Sequence, residues 1–308
     1  MNKRKMRLGI KLAGVGTLDT RKPGNVQGDE LVAVCWQKYL LRRDDVESVD
    51  LYGPDEPMRS DLDVLVHFYP TFELHPSAKN VYYLQNAFPP ETYSGGTVGV
   101  YNQVKDRFTG IIFTSEKLMH ACGPGAVVPF AADPEELQHL PDVRYRHNIS
   151  FVGNDIRGAT VNNRYFVPAI PFGLVIYGNN VWQPPLNEVC RGKLPMPDLP
   201  KLYSSCLINL NAHVQVHIDF DTINLRVFEA LACEGFLISD HHPSMEAEFG
   251  DAVVCTTGDE DLWAKLVRYL ADEPERERRR KLGRDILLSR HSYKHRADSV
   301  MEFLNQIA

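Results

Sequence analysis

The sequence predicts an α/β fold with two parallel-sheet domains and a cleft between them. Short apolar runs alternate with helical segments along the whole chain, which is typical of parallel α/β sheets. The 308 residues exceed the size of one average domain and suggest two. Between two successive α/β patterns, a stretch with Pro134 and Pro141 lacks strand character and suits a hinge.

The first domain, residues 1–130, opens with a strand at 6–12 and a glycine-rich loop, after which a helix begins with Asp29 as a suitable N-cap. Strands are predicted at 46–52, 62–68, 80–85 and 110–114, and a helix at 101–108. The loop contains Gly14, Gly16, Gly24 and Gly28. We do not interpret it as a dinucleotide-binding fingerprint, because the position where a third glycine is required is Asp19.

The hinge is predicted at 131–147, and the second domain at 148–290. Its expected strands lie at 148–154, 172–177, 207–211, 235–240 and 252–255, and its expected helices at 199–205, 224–232, 259–270 and 276–290. The charges of the last helix indicate mainly a solvated face.

Composition argues against a nucleic-acid-binding protein and against a membrane-spanning segment near the N-terminus. The chain has 34 basic and 40 acidic residues, a net charge of −6, which argues against a general nucleic-acid binder. Six cysteines without C-x-x-C spacing are typical of free thiols in a reducing compartment, so we expect a cytoplasmic protein. The basic start of the chain precedes an apolar run too short to span a membrane, although it can contact an anionic membrane surface peripherally.

The helix at 224–232 carries the most informative pattern of the chain. Asn224 is placed to cap it, and its free N–H groups together with Arg226 suit a phosphate or diphosphate. Glu229 stands in an apolar run one turn further on, where its carboxylate can accept hydrogen bonds from paired hydroxyls such as those of a ribose. The alternative is an ion pair between Arg226 and Glu229 on a solvated helix face.

Several motifs together resemble the CgeB-like glycosyltransferases, which are similar to the large GT-B group of sugar transferases. They are Asn209 on a strand, the 224–232 helix, the 235–240 strand, Glu246 with Phe249 and Gly250, and the segment from Arg284 through 291–296. The turns at 151–154 and 176–178 also look like the nucleotide-sugar-binding domain of that family. The resemblance covers about residues 148–300 and is loose before them.

The resemblance implies two Rossmann-like domains in a GT-B arrangement, no metal, no other cofactor, and a nucleoside-diphosphate sugar as donor. It also implies that residues 291–308 form a helix crossing back to the first domain. The implied donor-binding residues are Gly153, Asn154, Asn209, Asn224, Leu225, Arg226 and Glu229. Many retaining members carry two glutamates in E-x7-E, whereas this chain has Asp221 in the first position, which leaves the stereochemical outcome open.

An inverting enzyme needs a base for the acceptor hydroxyl, whereas in a retaining one the donor phosphate can take the proton. The candidate catalytic residues are His67 at a strand end, Asp19 in the glycine-rich loop and Asp221, with Asp29 as a further carboxylate. Arg157 and Arg164 are second choices for the diphosphate or are surface charges. Tyr82, Tyr83, Gln85 and Asn86 can line the acceptor side, or they belong to a strand with aromatic packing.

We therefore expect a metal-independent glycosyltransferase that moves a sugar from a nucleoside-diphosphate sugar to a glycan, a lipid-linked saccharide or a protein. Two alternatives remain open. One is a nucleotide-sugar epimerase or hydrolase on the same fold, which would turn over donor without acceptor. The other is a non-catalytic module that binds a nucleotide sugar.

Overall fold

A computed structural model describes residues 4–22, 26–179 and 181–307, so Gly24 of the glycine-rich loop lies outside it. Two separate parallel sheets form, one within residues 6–127 and the other within residues 149–256. The predicted α/β class with two Rossmann-like sheets is what the structure contains. Among the described helices, none is both long and apolar enough to cross a bilayer.

The first sheet has six strands in the order β2-β1-β3-β4-β5-β6, all parallel. The strands are β1 (Met6–Lys11), β2 (Val46–Tyr52), β3 (Val64–His67), β4 (Lys79–Leu84), β5 (Gly110–Phe113) and β6 (Ala126–Val127). The helices of this half are α1 (Gly28–Leu40), α2 (Gly96–Val104) and α3 (Glu116–Cys122). The order reverses at β1, which opens a crevice at the carboxyl ends of β1 and β3.

The second sheet has five parallel strands in the order β11-β10-β9-β7-β8. The strands are β7 (Ile149–Val152), β8 (Leu174–Tyr177), β9 (Ile208–Asn211), β10 (Leu237–Asp240) and β11 (Val253–Thr256). The helices are α4 (Ala159–Tyr165), α5 (Leu199–Ser205), α6 (Gln215–Asp219), α7 (Leu225–Ala232), α8 (Pro243–Phe249), α9 (Asp259–Ala271), α10 (Glu273–Arg290) and α11 (Tyr293–Ile307). Here the order reverses between β7 and β9, so ligands are expected at the carboxyl ends of these two strands.

Two predicted features of the first half are wrong in detail. Gln27, not Asp29, occupies the N-cap position of α1, and Asp29 lies in the first turn. The helix expected at 101–108 begins earlier, at Gly96, and ends in a 3-10 turn at Lys105–Arg107. Gly95 at its N-cap has a φ of 75°, in the left-handed region that favours glycine. A Gly-Gly pair that looks like a helix breaker therefore starts this helix.

The last helix, α11, packs against the N-terminal half of the molecule. Leu304 is fully buried in the same apolar cluster as Trp36 and Tyr39 of α1. Arg296 donates from Nη2 to the carbonyl oxygen of Phe130 at 3.0 Å, and Phe303 lies so close to Gly110 that a β-carbon there would be 2.7 Å from its ring. Residues from the end of the chain thus complete the core of the first half.

This packing predicts a large effect for Leu304→Ala. Removing a fully buried leucine side chain should lower the free energy of unfolding by about 2–5 kcal/mol. Urea unfolding followed by circular dichroism measures the change. Glu302→Ala, an exposed change on the same helix, should stay within about 0.5 kcal/mol of the wild type. Equal effects of the two substitutions would show that α11 does not pack on the core as described.

Candidate functional site

A cavity of about 420 Å³ lies between the two halves, where the carboxyl ends of the sheets face each other. Both halves contribute to its lining. The N-terminal wall includes Val26, Gly28, Asp29, Leu31, Gln85, Asn86 and Phe130, and the C-terminal wall includes Gly153, Asn154, Tyr177, Lys193, His217, Asn224, Leu225, Arg226 and Glu229. Six of the seven residues predicted to bind donor therefore come together on one wall.

The start of α7 forms the centre of the C-terminal wall. Asn224 occupies the predicted N-cap position with extended backbone angles, but its side chain makes no capping hydrogen bond. Its Nδ2 instead donates to Asn211 Oδ1 at 3.0 Å, at the end of β9. The first turn of α7 therefore presents N–H groups that no capping side chain occupies, beside the cavity.

Arg226 is fixed to the ends of two strands. Its Nη1 donates to Asn211 Oδ1 at 2.8 Å, and its Nε donates to the carbonyl oxygen of Val152 at the end of β7. The guanidinium carbon lies 4.8 Å from the centroid of the Phe151 ring, a cation–π distance. This places a positive charge, held rigidly, beside the N-terminus of α7.

Glu229 is buried, with 8% of the residue exposed, yet it lines the cavity. The Tyr203 hydroxyl donates to its Oε2 at 3.2 Å. Burial raises the pKa of the carboxyl above its ordinary value, while the nearby Arg226 charge and the Tyr203 hydrogen bond oppose the shift. The alternative of an ion pair on a solvated helix face is therefore wrong.

Two glycine turns bring the backbone close to the cavity. A β-carbon on Gly178 would lie 2.1 Å from the carbonyl oxygen of Gly153, so the turns after β7 and β8 pack directly on each other. The Asn154 side chain accepts a hydrogen bond from the backbone N–H of Asn179 at 3.0 Å, which joins the same two turns. A side chain at Gly178 would push these turns apart.

The other candidate cations lie in two different places. Arg157 donates from Nε to the carbonyl oxygen of Ala212 at 2.6 Å and lies 4.8 Å from the Phe151 ring centroid, behind the cavity wall. Arg164 donates to the carbonyl oxygen of Thr257 at 2.6 Å and is exposed, with Asp259 at 3.9 Å. Arg157 thus supports the wall that holds Arg226, whereas Arg164 is a surface residue.

The structure does not bring the three catalytic candidates to the cavity. His67 is buried and donates from Nε2 to Asn80 Oδ1 at 2.9 Å. Asp19 pairs with Arg21 at 2.7 Å on the loop after β1. Asp221, with a φ of 53°, lies 3.6 Å from Lys117 at a second cavity of about 630 Å³. Instead, Asp29 is the N-terminal carboxylate that lines the first cavity.

Asn209, also predicted to bind donor, lies in the core. Its Nδ2 donates to the carbonyl oxygen of Tyr203 at 3.0 Å, and its Oδ1 accepts from the Ser150 hydroxyl at 2.9 Å. Two residues further on, Asn211 makes the contacts with Asn224 and Arg226, and sequence reasoning missed it. Its position as the last residue of a strand at the sheet's carboxyl edge is the signal that could have identified it.

The two halves also touch beside the second cavity. Thr114 Oγ1 and Thr222 Oγ1 lie 2.9 Å apart, and the Ser115 hydroxyl donates to the carbonyl oxygen of Phe220. With the Lys117–Asp221 pair, these contacts form what we call the interdomain clasp. It ends two residues before Asn224, so it fixes the segment that leads into α7.

No cluster of three or more histidine, cysteine or acidic side chains suited to a metal ion occurs in the ranges that the structure describes. At the end of β10, Asp240 Oδ1 accepts a hydrogen bond from His213 Nδ1 at 2.7 Å. Burial lowers the pKa of neighbouring His217, which lines the cavity, to about 3.

Residues 159–302 match the protein family described as glycosyl transferase-like. No curated protein matches the chain by sequence. The fold is similar over nearly the whole chain to three solved structures: a sucrose-phosphate synthase from Thermosynechococcus elongatus, HepE of Anabaena in complex with UDP-glucose, and a glycosyltransferase from Rickettsia africae.

The sucrose-phosphate synthase is 11% identical, with 98% of this chain and 99% of that chain covered at a TM-score of 0.67. HepE is 14% identical, with 98% of this chain and 100% of HepE covered at a TM-score of 0.71. The Rickettsia protein is 10% identical, with 99% of this chain and 99% of that chain covered at a TM-score of 0.64. These structural matches confirm the predicted two-domain GT-B fold. The family match over residues 159–302 agrees with the predicted enzyme class, a glycosyltransferase.

The burial of His67 predicts a pH dependence of stability. Desolvation lowers the pKa of its imidazole to about 4, below the ordinary value of 6.5, so the folded state binds fewer protons than the unfolded state between these values. The stability that neutral His67 provides is present above pH 6.5 and is lost as the pH falls toward 4, at about 1.4 kcal/mol per pH unit at most.

We therefore expect His67→Gln to show a shallower loss of unfolding free energy between pH 6.5 and 4 than the wild type. Urea unfolding at half-unit pH steps measures the slopes. His120→Gln, a change at an exposed histidine of α3, should keep the wild-type slope. Parallel curves for His67→Gln and the wild type would contradict the assignment of His67 as a buried neutral side chain.

Proposed function

We propose that this protein is a glycosyltransferase that moves a sugar from a nucleoside-diphosphate sugar to a glycan, a lipid-linked saccharide or a protein. The observation that carries the proposal is the C-terminal wall, where Arg226 and the start of α7 lie one helical turn from the buried carboxylate of Glu229. The complex of HepE with UDP-glucose supports a UDP-sugar as the donor. The 224–232 helix motif supports the CgeB-like subfamily.

Donor binding follows from the chemistry of this wall. The diphosphate would lie at the N–H groups of α7, next to Arg226, because both favour negative charge. The ribose hydroxyls would donate to Glu229, whose second oxygen is free of the Tyr203 hydrogen bond. The close backbone turns at Gly153 and Gly178 leave the donor room along the carboxyl edge of the sheet.

The chemical step requires stabilisation of the charge that develops on the leaving diphosphate. In this protein a fixed guanidinium and the positive end of α7 can supply it, so we propose a reaction without a metal ion. Transfer should then persist in the presence of EDTA. Six cysteines without C-x-x-C spacing support the proposed cytoplasmic location.

Glu229→Ala tests the ribose contact. Loss of hydrogen bonds to a carboxylate should weaken donor affinity by roughly 10- to 100-fold and abolish the thermal stabilisation by UDP-sugars at concentrations that stabilise the wild type. A thermal-shift screen with UDP-, GDP-, dTDP- and CMP-sugars measures this. Glu260→Ala, at an exposed residue of α9, is the matched control. Wild-type affinity and turnover in Glu229→Ala would refute the assigned role.

Arg226→Gln separates the diphosphate contact from the ribose contact. Uridine has the ribose but no phosphate, so its affinity should change less than about twofold, whereas UDP should bind roughly tenfold or more weakly. Isothermal titration with both ligands measures the difference, and Glu229→Ala should weaken both. If Arg226→Gln weakens uridine and UDP equally, the guanidinium does not bind the diphosphate.

Turnover distinguishes the proposed transferase from the two alternatives. Release of UDP that depends on an added acceptor supports a transferase. Rapid loss of donor without acceptor indicates an epimerase or hydrolase, and donor binding without any turnover indicates a binding module.

A further inference from the structure

The two walls of the cavity differ in charge. Two cations, Arg226 and Lys193, line the C-terminal wall together with the Glu229 carboxylate, and His217 on the same wall is neutral because burial lowers its pKa to about 3. On the N-terminal wall, the lining residues that the structure describes include no lysine, arginine or histidine, and their only charged member is Asp29. Arg21 and Lys22, in the loop after β1, are exposed and do not line the cavity. Phosphate is therefore attracted to one wall and repelled by the other.

Gln85 is a second polar residue of the N-terminal wall, beside Asp29, that can bind a ligand. It follows β4, is 6% exposed, and its Nε2 has no hydrogen-bond partner. A buried amide without a partner costs free energy, about 1–3 kcal/mol, unless a ligand or water supplies one. The neighbouring Asn86 differs, because its Nδ2 donates to the carbonyl oxygen of Phe68 at 2.9 Å. Gln85 is thus the amide of this wall that is available to a ligand.

Asp29 lies on the same wall in the first turn of α1. Its Oδ1 accepts from the backbone N–H of Glu30 at 3.1 Å, and the backbone N–H of Ala13 also favours the ionised carboxylate. Because a carboxylate can accept about four hydrogen bonds, it retains capacity for a ligand hydroxyl. The wall stands close to the donor helix, since a β-carbon on Gly28 would lie 3.8 Å from Leu225 Cδ2. A group held by Asp29 and Gln85 would therefore face a donor bound at α7.

We propose that Asp29 and Gln85 bind the acceptor, and that the acceptor presents an uncharged sugar to this wall. A carboxylate accepts hydrogen bonds from sugar hydroxyls, and a primary amide both donates to and accepts from them. A phosphate on that sugar would meet the negative charge of Asp29, and none of the described lining residues of this wall is a cation that would compensate it. This proposal rests on the proposed transferase function and narrows its acceptor class.

The test compares neutral and phosphorylated acceptors directly. Methyl glycosides of common hexoses and the matching hexose 6-phosphates are supplied with the UDP-sugar that gives the largest thermal shift, and products are detected by mass spectrometry together with UDP release. We expect kcat/KM to be at least tenfold higher for the neutral sugars. Equal or better use of the hexose 6-phosphates would overturn the proposal, as would transfer to none of the methyl glycosides while UDP still stabilises the protein.

Two substitutions assign the effect to this wall. Gln85→Ala should raise the acceptor KM roughly tenfold and leave the donor KM within twofold. Asp29→Asn should reduce the preference for neutral over phosphorylated acceptors by about tenfold. Gln37→Ala is the matched control, because that amide donates to the Val49 carbonyl at 2.7 Å, remote from the cavity, and both KM values should stay unchanged.

The outcomes separate this proposal from the proposed function. If UDP does not raise the melting temperature of the wild type, the donor site is refuted, and with it the proposed transferase. If Gln85→Ala raises the donor KM and not the acceptor KM, Gln85 binds donor and the acceptor proposal is wrong, while the transferase stands. An unaltered acceptor preference in Asp29→Asn would equally refute the role of that charge.

Discussion

The hydrogen bonds that Asn211 accepts at the end of β9 are the interaction on which the site depends. Its Oδ1 accepts from both Asn224 and Arg226, and its Nδ2 donates to the Ser239 hydroxyl at 2.9 Å. Ser239 in turn donates to Asp240 at 2.9 Å, so a continuous buried network runs beneath the start of α7. Each of these groups would be costly to bury alone. The network therefore holds α7 in one position against β9 and β10.

This network also explains why Asn224 does not cap its own helix. Its amide is used to join α7 to the sheet, so the N–H groups of the first turn are left for a ligand. One turn later, burial raises the pKa of the Glu229 carboxyl, and Tyr203 is the side chain that donates to it among the described residues. A ligand with paired hydroxyls would relieve part of that desolvation cost. The protein's own hydrogen bonds therefore hold the polar groups of this wall in place.

Much of the fold could be predicted from the sequence, because its strands are apolar runs of the length that a doubly wound sheet buries. The strand at 46–52 and the helix at 199–205 were predicted with the bounds that the structure has. The short elements α3, β6, α4 and α6 were missed, since local pattern is weak in segments of two to seven residues. Tertiary contacts fix them instead: the Ser115 hydroxyl that caps α3 also contacts the second half.

The site was predicted unevenly for a similar reason. The residues predicted to bind donor around α7 lie close together in the sequence, so one local pattern led to a group that lies on one wall of the cavity. The catalytic candidates required knowledge of which side chains at a strand end point to the cleft. His67 and Gln85 both stand at the carboxyl edge of the first sheet, yet His67 turns into the core toward Asn80 and Gln85 lines the cavity. Strand position alone does not separate these two orientations.

The charge on each wall and the contacts between the halves together constrain how the cleft can work. The interdomain clasp ties residues 220–222 to the first half, and Lys193 Nζ donates to the Lys22 carbonyl at 2.8 Å elsewhere along the cleft. Because the clasp ends two residues before Asn224, a movement of one half relative to the other must displace the start of α7 or break the clasp. A donor bound as proposed would contact α7 through Arg226 and Glu229. Any movement between the halves would therefore reach the proposed donor site through this short segment.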